Sequence, residues 1–154
     1  MKGSILTAAI LVFAICGCIG FENQPGKADV YADLGQPFSL KLNQSAFIPS
    51  ENLQILFQDV PSDSRCPSDV QCIWAGEVKV SLMLKKGRNG PAAAWHTNLS
   101  IVKGAGEESG VETFNDALGN RYTVKLVRVE PYPKSNQQID ARNYTVTLEI
   151  SKNP

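Results

Sequence analysis

The chain has a single histidine, His96, and none of the short motifs that build a nucleophile or a zinc site around one. Gly-x-Ser-x-Gly is absent, and so is His-Glu-x-x-His, which removes the sequence signatures of serine hydrolases and zinc proteases. His96 stands between Trp95 and Thr97 in an apparent strand, where a lone imidazole is far more often an ordinary face residue than a catalytic base. An enzyme is therefore not expected. Excess charge is lacking too: 15 Lys and Arg balance 15 Asp and Glu, and without a basic patch there is no electrostatic footprint for nucleic acid. With one imidazole and cysteines expected to be oxidised, a transition-metal site has too few ligands, and no cofactor is called for. No stretch after the first eighteen residues keeps a helical period, which leaves an all-β chain.

The N-terminus says where the protein lives. Lys2 precedes an apolar run from Ile5 to Ile15, too short to span a bilayer and flanked as a signal peptide is. Ile15-Cys16-Gly17-Cys18 has the form of a lipobox, with an aliphatic residue three positions before Cys18 and glycine just before it. Cys16 fits worse, because β-branched Ile15 would occupy the subsite that takes a small residue. Residues 1–17 are thus expected to be a signal peptide and Cys18 the lipidated residue, on the extracytoplasmic face of the cell membrane. A soluble secreted chain and an uncleaved membrane anchor are the competing readings. Loss of Lys2 with the signal leaves fourteen basic residues against fifteen acidic ones, a net charge of about −1.

Residues 19–36 mix Gly, Pro, Asn and Gln without a period and are expected to form a flexible tether with an r.m.s. reach of roughly 25 Å. From Pro37 the texture changes to short β-rich runs separated by turn residues. Seven strands are predicted, at Phe38–Leu42, Leu53–Asp59, Glu77–Lys85, Trp95–Val102, Val111–Phe114, Tyr122–Val129 and Tyr144–Ile150. The third and last alternate most cleanly: Val78, Val80, Leu82 and Leu84 interleave with Lys79, Ser81, Met83 and Lys85, so one face is buried and the other wet. Residues 37–154 accordingly read as one immunoglobulin-like β-sandwich of about seven strands. A small β-barrel is the alternative, since alternation does not fix topology.

The stretch Asp59–Val80 departs most from plain β wording. Cys66 and Cys72 stand six positions apart around Pro67, with Trp74-Ala75-Gly76 following. In an oxidising compartment this even pair is expected to be bonded; closing so short a loop contributes roughly 2 kcal/mol at most, so the bond shapes the loop more than it holds a domain. Asp59, Asp63, Asp69 and Glu77 put hard oxygen ligands nearby, but the spacing is not that of a calcium loop, and turn-capping is the better expectation. Asp63, Arg65, Asp69 and Trp74 form the candidate interaction loop. In one reading Arg65 is displayed beside the disulfide as an inhibitor displays a basic residue to a protease. In the other, which we prefer, Arg65 pairs with Asp63 or Asp69 and Trp74 is core, covering the disulfide. Asn43, Asn98 and Asn143 lie in sequons compatible with glycosylation.

Phe57, Val60, Asp63-Ser64-Arg65-Cys66-Pro67, Cys72, Trp74-Ala75-Gly76 and Val78 together resemble the signature of a group of uncharacterised bacterial and archaeal secreted lipoproteins with a DSRCP…C-x-WAG core. The motif is specific and covers some twenty residues. It implies an exported, lipid-anchored β domain and transfers no catalytic residues. The functional expectation is a non-enzymatic envelope protein that binds another protein or an envelope ligand; an inhibitor built on Arg65, or an envelope hydrolase, is the alternative.

Overall fold

In a computed structural model, residues 30–87, 94–102, 110–116 and 118–154 are described. Among these residues nine strands follow in chain order: β1 Val30–Tyr31, β2 Phe38–Lys41, β3 Ser45–Ile48, β4 Leu53–Asp63, β5 Glu77–Lys86, β6 Ala94–Val102, β7 Val111–Asn115, β8 Arg121–Glu130 and β9 Thr145–Asn153. They form two sheets, ordered β1-β3-β4-β5-β6 and β2-β9-β8-β7. The chain is an all-β sandwich and not a closed barrel. Among the described residues helix is confined to two 3-10 turns, Pro49–Glu51 and Ala141–Asn143.

The alternation predicted for β5 and β9 is what faces the two sheets inward. Val78, Val80, Leu82 and Leu84 are fully buried, and Val146, Leu148 and Ile150 meet them from the opposite sheet with Leu40, Val124 and Leu126. Burial of each such side chain contributes on the order of 1.5–3 kcal/mol, so this apolar layer is the main source of stability. Sheet assembly is by neighbouring hairpins: β3 to β6 run up and down in one sheet, and β7 to β9 do so in the other.

Three details differ from expectation. Two further strands are present, because β3 precedes the Pro49 turn and because Val30–Tyr31, read as tether, pairs in parallel with Ala46–Phe47. The sandwich therefore includes Val30–Tyr31, ahead of the expected start at Pro37. β4 runs past Asp59 to Asp63, since register shifts at Phe57/Asp59 and Asp59/Ser62 let it bend past Pro61 while still pairing with β5; a bulge tolerates a residue with no N–H to donate. A third shift, at Leu126/Arg128, turns Val127 outward and brings Val129 back into the core.

The pairings also orient the molecule. Asp63 pairs with Val78 at one end of the sandwich, the end from which the Cys66–Cys72 loop projects and at which β8 finishes at Glu130. Arg121, pairing with Asn153, marks the other end. Because β1 runs parallel to β3, and β3 antiparallel to β4, Val30 is the end of β1 that faces the loop.

Candidate functional site

The neck of the loop is built from backbone. Ser64 N–H donates to Glu77 O at 2.8 Å and Cys66 N–H to Ala75 O at 2.8 Å, carrying the β4–β5 ladder outward beyond the last strand pair. Ser64 Oγ closes the same step, donating to Glu77 O at 3.1 Å and accepting from Glu77 N–H at 3.2 Å. Gly76 has φ +67°, and a Cβ there would lie 1.8 Å from Ser64 O. Only glycine fits so close a backbone approach in the left-handed region. Cys66 and Cys72 are joined as expected, with Cα atoms 5.9 Å apart.

Arg65 is the buried pin beneath the neck. Its Nε donates to Asp63 Oδ1 at 2.8 Å and its Nη2 to Asp63 Oδ2 at 2.6 Å, a two-pronged pair in which the side chains are only 5% and 8% exposed. The remaining guanidinium donors reach the other sheet: Nη1 donates to Val129 O at 2.7 Å and Nη2 to Pro131 O at 2.9 Å. The guanidinium lies over the Tyr132 ring, 4.7 Å from its centroid, and Tyr144 Oη donates to Asp63 Oδ2 at 3.0 Å. Burial pushes the Asp63 carboxyl up, but the Arg65 hydrogen bonds and charge outweigh it and hold the group below the usual carboxylate range. Burial, then the hydrogen bond to Asp63, pushes the Tyr144 phenol up to about 12. Arg65 thus pairs with Asp63, as preferred from the sequence, and not with Asp69. Displaying it to a protease would strand Asp63, so the inhibitor built on Arg65 does not fit this geometry.

Asp69 anchors the outer part of the loop. It accepts from Ser135 N–H at 2.9 Å and Ser135 Oγ at 2.6 Å, while Ser68 N–H donates to Pro133 O at 2.9 Å. The Ser135 hydrogen bonds, side chain first, hold the Asp69 carboxyl below its ordinary range. The loop is therefore fastened at its neck, across the disulfide, and along one flank to residues 131–135.

What that scaffold presents is apolar. Ile73 is 95% exposed, Trp74 76% and Val70 47%. This corrects the expectation that Trp74 covers the disulfide in the core. Arg65 stacked on Tyr132 occupies the space between the loop and the end of β8, and the Cys66–Ala75 hydrogen bond with the Gly76 turn leaves the indole on the outside. Ile73 was not singled out from sequence. A signal was there nonetheless, since two large apolar residues follow the second cysteine in a loop too short to bury anything.

The other candidates are engaged elsewhere. Asp59 accepts from Val60 N–H at 2.8 Å, and Glu77 pairs with Lys79 at 2.9 Å; among the described residues no three His, Cys, Asp or Glu side chains gather in a metal-holding group. His96, exposed on β6, has Nδ1 3.1 Å from Gln58 Oε1. Asn43, Asn98 and Asn143 are all exposed, with Asn98 Oδ1 accepting from Ser81 Oγ at 2.5 Å. Cys18 lies outside the described residues. At the far end of the sandwich, sequence reasoning missed a second latch: Lys86 pairs with Asp116 at 2.6 Å and with Tyr122 Oη, and Tyr122 Oη donates to Glu51 at 2.5 Å. Lys152 joins Glu51 at 3.1 Å. These groups come from five separate parts of the chain and satisfy one another, as a structural network does.

No protein-family model, curated protein or solved structure matches the chain.

Proposed function

We infer that the protein is a non-enzymatic binding module, held by a lipid on Cys18 at the outer face of a membrane, and that its contact element is the tip of the Cys66–Cys72 loop. The lipobox and signal peptide support the location. The observation that carries the contact element is the exposure of adjacent Ile73 and Trp74 on a loop fastened at its neck, across its disulfide and along one flank: Asp63 and Arg65 pin it, Ser64 and Gly76 shape it, the disulfide closes it and Asp69 ties its flank. Exposed large apolar groups are unfavourable in water, and a rigid cluster of them marks an interaction surface. Preorganisation reduces the entropy lost when such a loop is engaged.

The test is photocrosslinking in intact cells, with a diazirine amino acid replacing Ile73 and, as control, Leu118, which is 85% exposed beyond the other end of β7. Adducts formed from position 73 in excess over position 118 are the expected result. Equal, background labelling from both overturns the reading.

A further inference from the structure

The direction in which the chain enters the sandwich names the occupant of the loop tip. Val30 aligns with Ala46 and, through it, with Ile55 on β4. The loop springs from Asp63, eight residues further along β4, and at ~3.3 Å per residue that is about 26 Å. Val30, the first residue of β1, is the end of that strand nearer the loop. Between Cys18 and Val30 lie eleven residues, whose coil dimension is about 18 Å and whose full extension is about 38 Å. A tether drawn out beyond its coil dimension, but within its full extension, therefore lets a lipid on Cys18 reach the loop end of the sandwich.

We propose that Ile73, Trp74 and Val70 insert into the headgroup–acyl boundary of the membrane that carries the anchor, so that the domain stands on the bilayer by its stapled loop. This rests on the loop being the contact element and Cys18 the lipidated residue, as argued above. The chemistry of the tip suits a lipid boundary: an indole has an apolar body and an N–H for the wet side, Ile73 adds depth, and exposed Lys134, next to the Asp69–Ser135 tie on the loop's flank, offers a charge that headgroup phosphates accept. Three side chains alone bind a bilayer weakly. Anchorage changes the arithmetic, since a tether able to span the distance makes the second contact intramolecular, and an apolar patch added to a lipid chain is the familiar two-signal arrangement. The disulfide and the Asp69–Ser135 tie keep the tip formed before contact, so little order is lost on insertion.

The experiment uses the full chain, purified from membranes and reconstituted into phosphatidylcholine vesicles with acyl chains unbrominated, brominated near the carbonyl end, or brominated near the methyl end. The chain has two tryptophans, and comparison of the wild type with Trp74→Phe isolates the emission of Trp74 without disturbing Trp95. Expected is a blue-shifted Trp74 emission that is quenched most by bromine near the carbonyl end. Trp74 emission unquenched by either brominated lipid overturns the proposal. In that case the adducts from position 73 decide what else has failed: adducts to protein keep the loop as a contact element for a protein partner, whereas background labelling removes the binding module as well.

Discussion

Arg65 and Asp63, two residues apart at the end of β4, form a two-pronged ion pair that also fastens one sheet of the sandwich to the other, because the same guanidinium donates to Val129 O and Pro131 O. The residue that makes these four hydrogen bonds is itself only 6% exposed. Removing one partner of such a pair strands the other charge, at a cost of about 3–5 kcal/mol. Arg65→Ala should therefore lower the stability measured by denaturant titration by about that amount, and Arg65→Lys should recover only part, since an ammonium does not span both carboxylate oxygens and two carbonyls. An Arg65→Ala variant as stable as wild type would show that the pair is not the pin described here.

Gly76 and Gly119 make a matched comparison. Both have positive φ, +67° and +83°, but a Cβ on Gly76 would meet Ser64 O at 1.8 Å whereas one on Gly119 would meet nothing within 4 Å. Gly119→Ala should carry only the conformational cost of the left-handed region, about 1–2 kcal/mol. Gly76→Ala should carry that and a further ~1–3 kcal/mol for forcing the neck apart. Equal melting temperatures for the two variants would contradict the close approach at Ser64.

Much of this was readable because it is local. Val78 to Leu84 and Val146 to Ile150 alternate with a period of two, and a strand with one buried face has little choice about which face that is. The Cys66–Pro67–Cys72 spacing announces a closed loop for the same reason. Pairings distant in sequence leave no such mark. Val30–Tyr31 is a strand only because β3 offers it an edge, and the Lys86, Asp116, Glu51, Tyr122 and Lys152 latch assembles from residues with no common spacing. Trp74 was misread because a tryptophan beside a disulfide reads as a core device of sandwiches, while the space it would fill is decided by Arg65 and Tyr132, residues that no periodicity brings beside it.

The ionisation of Tyr144 gives the Asp63–Arg65 pin a signature in alkali. Its folded-state value is raised to about 12 by burial and by the hydrogen bond to Asp63, against ~10 for an unfolded tyrosine. A raised folded value contributes stability that is whole below the unfolded value and is lost as pH climbs through the folded one. The advantage of wild type over Tyr144→Phe should thus be constant near neutrality and shrink between pH ~10 and ~12. On the acid side the sign reverses: the Asp63 carboxyl is held below its usual range, so its contribution is present above pH ~4 and lost as pH falls through the folded value. Parallel curves for Tyr144→Phe and wild type across the alkaline limb would remove the phenol–carboxylate contact from the account.

Trp74 and Trp95 should respond oppositely to the same treatment. Trp95 is half-buried with its ring 5.3 Å from Phe114 between the two sheet edges, whereas Trp74 is 76% exposed and the adjacent Ile73 more so. In detergent-free buffer, acrylamide should quench Trp74 far more readily than Trp95, and Trp74→Ala should remove the readily quenched component. An indole already in water has no packing to lose, so Trp74→Ala and Ile73→Ala should each change stability by less than about 0.5 kcal/mol. A buried tryptophan would instead cost roughly 3–5 kcal/mol. The gap in expected effect, about sixfold or more, makes the measurement decisive: a Trp74→Ala variant destabilised by several kcal/mol places the indole in the core and withdraws the loop tip as a contact surface, while an unchanged melting temperature leaves Ile73 and Trp74 with no task inside the fold.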